Sequence, residues 1–327
     1  MKKLINDPQR YVDEALEGMC LAFPGYRKSG RVVSRAAGPA KGKVGVVTGG
    51  GFGHLPVFAG YVGTGMLSSC AVGEVFAGPP VEVCGQAIRA GDGGAGVVCV
   101  LGNYGGDRMS FAQACEDFED DGGKTATVIV ADDVASASSA ERAKRRGVAG
   151  MIFAFKTAGA AADGGASIDE VSRIARHTAD RTRSIGVALS PCLIPGAAAP
   201  GFTVDEGQME LGMGIHGEPG VERRTIASAD DVASALVQRL LADRGPSGGK
   251  VAVLVNSLGA TPLEELLILY RAVDALLAKA RLEIVQHYVG HYATSMEMAG
   301  ASVSILDLDP EIERLLKEPT GCPFWPR

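Results

Sequence analysis

The chain has 327 residues, of which 46% are apolar and 21% charged, and its net charge is -6. This length predicts two domains, each able to bury its own core. The acidic balance and the absence of a dense lysine and arginine stripe argue against a nucleic acid or an anionic membrane as partner. No uncharged apolar run is long enough to cross a bilayer, and no basic leader precedes a cleavage site. We therefore expect a soluble cytoplasmic protein.

The N-terminal half alternates between helical and strand patterns. A first helix is predicted over residues 1–22, with Asp7 as its cap and Pro8 in its first turn. Further helical patterns cover 110–118 and 168–179. Short apolar runs that predict strands lie at 44–47, 97–101, 127–130, 151–154 and 185–189. This alternation is typical of a sheet covered by helices on both faces.

The C-terminal half repeats the same style. It predicts helices over 230–243 and 262–280, and strands over 251–255, 284–288 and 302–306. The segment 179–183 is a plausible boundary between domains. The expected fold class is α/β, with two α/β domains whose mixed or parallel sheets are covered by helices. The N-terminal domain would be residues 1–182, and the C-terminal domain would be residues 183–327.

Several charged and sulfur-containing residues have ordinary explanations. The seven cysteines are scattered, odd in number and without a C-x-x-C pair, which predicts buried thiols in a reducing compartment. Two charged clusters are interpreted as solvated helix ends. One is acidic (Glu119, Asp120, Asp121) and the other is basic (Arg142, Lys144, Arg145, Arg146).

Three glycine-rich loops stand out, because ligands of open α/β sheets lie beyond the carboxyl ends of strands. The loop 49–56 contains His54, the loop 102–107 contains Asp107, and the loop 212–220 contains His216. Glycines beside a histidine remove side chains that would block a small ligand. Two such loops from separate halves of the chain could converge on a small-molecule site.

Each loop also has a plainer explanation. A nucleotide-binding turn would need glycine where His54 stands, and no phosphate-binding P-loop motif exists in the chain. Asp107 is explained equally well as the N-cap of a helix that begins near Arg108. Of the other histidines, His177 reads as a surface residue, and His287 and His291 lie near a strand end. No histidine or cysteine spacing predicts a metal site.

At these loops the chain resembles the substrate-binding subunit of the dihydroxyacetone kinase family. The likeness runs nearly from end to end. It is carried by residues 1–7 (MKKLIND), the loop 49–56, and residues 60–67 (GYVGTGML), 73–76 (GEVF), 103–107 (NYGGD), 146–149 (RGVA), 214–220 (GIHGEPG), 256–263 (NSLGATPL) and 295–300.

The resemblance implies a kinase whose histidine loop holds the substrate. His216 would bind the C2 carbonyl of a small hydroxyketone covalently as a hemiaminal, which fixes a small and loose molecule. Asp107 and His54 would contact the substrate hydroxyls, and one of them would take the proton during phosphoryl transfer. Glu218 would orient its own loop. The remaining expected substrate-binding residues are Gly51, Phe52, Gly53 and Gly102.

The resemblance also implies what this chain does not bind. In the family, ATP or ADP with Mg is held by a separate helical domain or subunit, the phosphoryl donor. No such domain is recognised in this sequence up to Arg327, so we expect no cofactor and no metal on this chain. The expected partners are the hydroxyketone, the nucleotide-binding donor subunit and a second copy in a homodimer. Glycerol metabolism is the expected context.

Four positions depart from the best-known family pattern. A lysine is replaced by Gly102, a small polar residue by Phe52, a glutamate by Leu55 and a serine by Gly78. Loss of the lysine should open space and remove a charged donor, while Phe52 should add an apolar wall. These departures favour a substrate other than dihydroxyacetone, such as a four-carbon ketose like erythrulose or a branched relative. The alternative is a catalytically inactive paralogue that senses a ketose and acts as a coactivator.

Overall fold

The chain passes four times between two structural units, at 130/131, 150/151, 179/180 and 311/312. The computed structural model describes residues 2–325, so Met1 of the opening motif and Arg327 lie outside the described residues. The first unit contains the chain up to Val130, Met151–Ala179 and the segment from Ile312. The second contains Ala131–Gly150 and Asp180–Glu311. The predicted division at 182/183 therefore lies near one passage only, because it assumed that the chain changes domain once.

The first unit is built on a six-stranded sheet in the order β1-β2-β4-β3-β5-β6. The strands β4, β3, β5 and β6 are parallel, while β1 and β2 pair in the antiparallel sense. The strands are β1 (Tyr26–Ser29), β2 (Val32–Arg35), β3 (Gly45–Phe52), β4 (Ser69–Val75), β5 (Val97–Gly102) and β6 (Thr125–Val130).

Five helices accompany this sheet, and their bounds are α1 (Tyr11–Ala22), α2 (Val81–Gly91), α3 (Gly105–Asp120), α4 (Met151–Asp163) and α5 (Ile168–Arg181). Asp7 accepts a hydrogen bond from the backbone N of Gln9, as a cap should, but the residues that follow form a short 3-10 turn before α1 begins. Cys84, Ile88 and Phe111 of α2 and α3 pack with the strand valines in a buried core.

The second unit has its own six-stranded sheet in the order β11-β10-β12-β7-β8-β9. Only the pair of β10 and β11 is parallel. The strands are β7 (Thr182–Ala188), β8 (Gln208–Leu211), β9 (Glu222–Thr225), β10 (Gly249–Ser257), β11 (Leu282–Gly290) and β12 (Gly300–Asp307). The helices of this unit are α6 (Ala229–Arg244) and α7 (Leu263–Lys279), while α8 (Pro310–Lys317) belongs to the first unit from Ile312 onward. The predicted α/β class with two helix-covered mixed sheets is confirmed.

The segment after α8 packs on the first unit. The Sγ atom of Cys322 donates to the carbonyl of Gly60, and the backbone N of Gly321 donates to the carbonyl of Thr64. The buried Lys156 of α4 donates to the carbonyl of Leu315 at 2.9 Å. Burial lowers the pKa of Lys156 to about 8. These contacts make residues 312–325 an integral part of the first unit.

The strand predicted over 151–154 is wrong, because these residues begin helix α4. Every residue from Met151 to Ala162 is buried. A helix that is buried on all sides is apolar on all sides, so the helical period disappears from its sequence. A short run of such a helix cannot be distinguished from a buried strand by its pattern.

The basic cluster is not a solvated helix end. The side chain of Arg145 is 1% exposed and donates to both carboxylate oxygens of Asp243, at 3.1 and 2.5 Å. Arg146 is 13% exposed and pairs with Asp133 at 2.7 Å. Only Lys144 matches the expectation, with 73% of its side chain exposed. The buried arginines are tolerated because each has a carboxylate partner.

The acidic cluster and the cysteines lie where they were predicted. Glu119 and Asp120 close helix α3 at the surface, and Asp121 pairs with Arg89 at 2.8 Å. All seven cysteines are free thiols, and six of them are buried. No helix between residues 2 and 325 is both long enough and apolar enough to cross a membrane.

Two helical glycines should respond in opposite ways to the same substitution. A Cβ atom on Gly159 of α4 would lie 2.3 Å from the backbone O of Met66, whereas one on Gly85 of α2 meets nothing within 4 Å. We expect Gly159→Ala to destabilise the protein by ~1–3 kcal/mol through overpacking. Gly85→Ala should stabilise it by roughly 0.5–1 kcal/mol through lower chain entropy. Chemical denaturation of both variants measures the difference. A Gly159→Ala variant as stable as the native protein would contradict the close contact between α4 and the backbone of Met66.

Candidate functional site

The glycines of the first predicted loop belong largely to strand β3. A Cβ atom on Gly50 would lie 2.4 Å from the ring of Phe58, and one on Gly51 would lie 2.8 Å from the backbone N of Ala77. These glycines of β3 are therefore required because Phe58 and the backbone of Ala77 pack closely against the strand. The loop itself starts at Gly53, which has a φ of 113°. Glycine adopts this backbone conformation readily, whereas other residues are strained in it.

His54 is fully buried between two aromatic rings. Its imidazole stacks on Phe76 with centroids 4.9 Å apart and an angle of 23°, and it meets Phe58 edge-on at 6.2 Å. Both phenylalanines have positive φ values, 59° for Phe76 and 71° for Phe58. Such conformations cost on the order of 1–3 kcal/mol each and persist only where the surroundings enforce them. Two of the four non-glycine residues with positive φ between residues 2 and 325 thus hold the histidine ring.

Asp107 is not the N-cap of α3. The cap position belongs to Tyr104, and Asp107 is the third residue of the helix, with only 7% of its surface exposed. Its carboxylate faces Gly78, where an added Cβ atom would lie 2.3 Å from Oδ1. The positive end of the helix dipole favours a carboxylate in this first turn.

The turn 76–78 brings the predicted residues of the first unit together. Phe76 donates its backbone N–H to the carbonyl of Phe52 at 3.1 Å, and its ring covers His54. Two residues later, Gly78 contacts Asp107. Phe52, His54 and Asp107 are therefore arranged around one short turn, which the sequence analysis had not singled out as the link. The ring of Phe52 is buried and meets Tyr11 edge-on at 6.0 Å.

Gly102 lies at a crowded position. It ends strand β5, and a Cβ atom there would lie 3.0 Å from Sδ of Met151 and 3.2 Å from the ring of Tyr104. Room for a Cβ atom is therefore small, while the opening of space where a lysine side chain would extend stays a prediction.

The second unit carries the histidine loop, which joins β8 to β9. The Nδ1 atom of His216 lies 3.0 Å from Oε1 of Glu218, and the backbone N of His216 donates to Oε2 at 3.0 Å. The buried Ser295 donates to the carbonyl of Ile215 at 2.5 Å. One carboxylate thus holds both the ring and the backbone of His216, while Ser295 holds the residue before it.

The charge state of Glu218 determines the tautomer of the histidine. Burial alone would raise the pKa of Glu218, but the hydrogen bond and charge of His216 and the nearby Arg146 lower it to about 2. An ionised carboxylate only accepts hydrogen bonds, so Nδ1 of His216 must carry the proton that it donates. In the neutral ring the lone pair is then on Nε2, which makes this nitrogen a nucleophile.

The other histidines take no part in either cluster. His177 is partly buried on α5. His287 is exposed beside the ring of Tyr270, with centroids 5.7 Å apart, and the exposed His291 lies 3.2 Å from the carbonyl of Gly259. No group of three or more metal-ligating side chains is present among residues 2–325.

Residues 17–324 match the family model of the Dak1 domain. The chain belongs to the Dak1 domain family. An L-erythrulose 1-kinase of Mycolicibacterium smegmatis is 40% identical over 100% of this Dak1 chain and 58% of its own length. The dihydroxyacetone-binding subunit DhaK of the PEP-dependent dihydroxyacetone kinase of Escherichia coli is 38% identical over 99% of this chain and 98% of its own. The Dak1 chain therefore spans about half of the first relative and nearly all of the second.

Solved structures agree with this assignment. The dihydroxyacetone kinase of C. freundii superposes with a TM-score of 0.91 at 34% identity, over 99% of this Dak1 chain and 60% of the kinase. A dihydroxyacetone kinase operon co-activator, Dha-DhaQ, superposes with a TM-score of 0.89 at 32% identity, over 95% of this chain and 97% of its own. The fold of the Dak1 chain is thus found in both kinases and a co-activator.

The carboxylate of Glu218 should remain ionised in acid. At about pH 4.3 an ordinary glutamate is half protonated, whereas a pKa of about 2 keeps Glu218 charged. The stabilisation that this shift provides is present above the ordinary pKa and is lost as the pH falls through about 2. The 13C resonance of the labelled Glu218 carboxyl, assigned with Glu218→Gln, measures the titration. A midpoint near 4.3 would contradict the described contact with His216.

Proposed function

We propose that this chain is the substrate-binding part of a ketose kinase and that it holds a short-chain hydroxyketone covalently on His216. The observation that carries this proposal is the hydrogen bond from Nδ1 of His216 to an ionised Glu218. It prepares Nε2 as a nucleophile on a ring that is partly exposed. A nucleophile that is oriented by a neighbouring carboxylate is a recurring arrangement for covalent catalysis.

The covalent step balances without any further reagent. Nε2 attacks the carbonyl carbon, a nitrogen–carbon bond forms, and the π electrons of the C=O bond move to oxygen, which takes a proton from solvent. The ring releases its Nδ1 proton through Glu218 to solvent. The product is a neutral hemiaminal, and the reverse path releases the ketose. The adduct orients a molecule that has few groups to bind, which lowers the entropic cost of the next step.

The proposed second step is phosphoryl transfer to the primary hydroxyl of the bound ketose. The hydroxyl oxygen attacks the terminal phosphorus of a donor, and its proton passes to Asp107 or His54. We assign the donor, ATP or ADP with Mg, to a separate domain or subunit, since this sequence has no phosphate-binding loop. The E. coli relative is a subunit of a PEP-dependent kinase. The proposed assembly is a homodimer of this chain with the donor.

The proposed substrate is dihydroxyacetone or a four-carbon ketose such as erythrulose. The relatives support both, since one is named an L-erythrulose 1-kinase and another a dihydroxyacetone-binding subunit. Phe52 replaces a small polar residue of the family pattern, so we expect the surroundings of the bound ketose to be less polar than in that pattern. Parallel turnover measurements with each ketose decide between them.

Replacement of His216 should abolish adduct formation. With a ketose carrying 13C at its carbonyl carbon, the native protein should convert the carbonyl resonance into that of a tetrahedral carbon. His216→Ala should leave the carbonyl resonance unchanged, because the nucleophile is lost. His287→Ala is the matched control, because His287 is an exposed histidine of the same unit. A tetrahedral signal in the His216→Ala variant would refute the covalent assignment.

Replacement of Asp107 should separate binding from turnover. Asp107→Asn keeps the shape of the side chain but cannot accept the proton, so turnover with a saturating donor should fall by ~100- to ~10,000-fold while the ketose still binds. Since Asp107 is not the helix cap, the variant should show little loss of thermal stability. Near-normal turnover would assign the base to His54 instead.

The competing function is a ketose-sensing coactivator that forms the adduct but transfers no phosphoryl group. The close superposition on the co-activator Dha-DhaQ supports it. The presence of both His54 and Asp107 in one cluster favours the kinase. Adduct formation without turnover, tested with the donor proteins encoded nearby, would identify the coactivator.

A further inference from the structure

Behind the histidine loop lies an arginine that contacts the loop at both ends. Nη2 of Arg146 donates to the carbonyl of Gly212 at 2.8 Å, where the loop leaves β8. Nη1 of the same side chain lies 3.9 Å from Oε2 of Glu218. All of these residues belong to the second unit. Arg146 therefore touches both the start of the loop and the carboxylate that holds His216.

The arginine is itself fixed from behind. Nε and Nη2 of Arg146 lie 2.8 and 2.7 Å from Oδ2 of Asp133, which is almost fully buried. The backbone N of Asp133 also donates to the carbonyl of Arg146 at 3.1 Å, and Oδ1 accepts from the backbone N of Ala135. A guanidinium that forms this many charge-assisted hydrogen bonds has a fixed plane.

The loop leaves room for this contact at one glycine. A Cβ atom on Gly214 would lie 2.0 Å from Oε2 of Glu218 and 2.5 Å from Nη1 of Arg146. Any side chain at this position would drive the carboxylate and the guanidinium apart. The absence of a side chain at residue 214 and the position of Arg146 are therefore parts of the same arrangement.

We propose that Arg146, anchored on Asp133, is a positioning residue for His216: it holds the Glu218 carboxylate against Nδ1 and so keeps the Nε2 lone pair available to the ketone. This inference rests on the proposed hemiaminal. Arg146 does not touch the reacting atoms. Its effect passes through Glu218 to the tautomer and orientation of the ring, as carboxylate partners orient the histidines of metal sites.

The neighbouring arginine provides a matched control. Arg145 is also buried and also paired, but its guanidinium donates to Asp243 and to the carbonyl of Ala137. Loss of Arg146 removes an ionic partner of Asp133, and loss of Arg145 leaves Asp243 with Arg183, so both variants should be less stable. Only the loss of Arg146 should change His216.

The test uses the full chain labelled with 15N in its histidines. Long-range proton–nitrogen spectra without ketose report which ring nitrogen of His216 carries the proton, and the signal is assigned with His216→Ala. The native protein should show Nδ1–H. In Arg146→Gln the population should shift toward Nε2–H, and adduct formation should slow by ~10- to ~100-fold. Arg146→Lys should restore part of both effects, and Arg145→Gln should keep the native tautomer and rate.

The outcomes separate this inference from the proposed function. If Arg146→Gln keeps the native tautomer and an adduct rate within about twofold of native, the positioning role is overturned. Equal rate losses in Arg146→Gln and Arg145→Gln, with an unchanged tautomer, overturn it as well. If Arg146→Gln does not fold, Asp133→Asn replaces it and must change both readouts in the same direction. A native protein that shows the Nδ1–H tautomer but no adduct would refute the hemiaminal, and the tautomer shift in Arg146→Gln would then test only the orientation of the His216 ring.

Discussion

An ionised carboxylate beside an imidazole ring is the interaction on which the proposed chemistry depends. Glu218 can play that part because the hydrogen bond from His216 and the charge of Arg146 oppose the effect of burial on its pKa. A protonated carboxyl group could instead donate a hydrogen bond to Nδ1. In the neutral ring the proton would then be on Nε2, and that nitrogen would lose its lone pair. The surrounding features, including the contact of Ser295 with the loop and the missing side chain at Gly214, keep the carboxylate in place.

In the first unit, aromatic rings hold the buried His54. His54 is held by aromatic faces and edges, and the two phenylalanines that provide them accept unfavourable backbone conformations. Ring contacts of this kind restrict orientation while leaving the ring nitrogens to hydrogen-bonding groups. Position is thus enforced by electrostatics around His216 and by packing around His54.

Much of the fold could be predicted because several of its strands are rich in valine. The runs near Val97, Val251 and Ser302 all became strands within a few residues of their expected bounds. Helix α4 was not predicted, because a helix that is buried on all sides has no helical period of apolar residues in its sequence. The roles of Arg145 and Arg146 were not predicted, because a run of charged residues has the same sequence whether it is solvated or paired. Their partners, Asp243 and Asp133, belong to no recognisable motif. The R-G-V-A motif that contains Arg146 was the available signal, since a solvated helix end would not need a defined sequence.

The passage of the chain between the units has a consequence for its synthesis. Residues 180–311 are inserted into the first unit, which is completed only when residues 312–325 pack beside Gly60 and Thr64. Domains that are continuous in sequence fold in order as they leave the ribosome. Here the first unit cannot be completed before residues 180–311 of the second unit have been translated. Until then, Lys156 lacks the carbonyl of Leu315 as its hydrogen-bond partner. The second unit therefore has the opportunity to reach its fold before the first, although its residues are on average synthesised later.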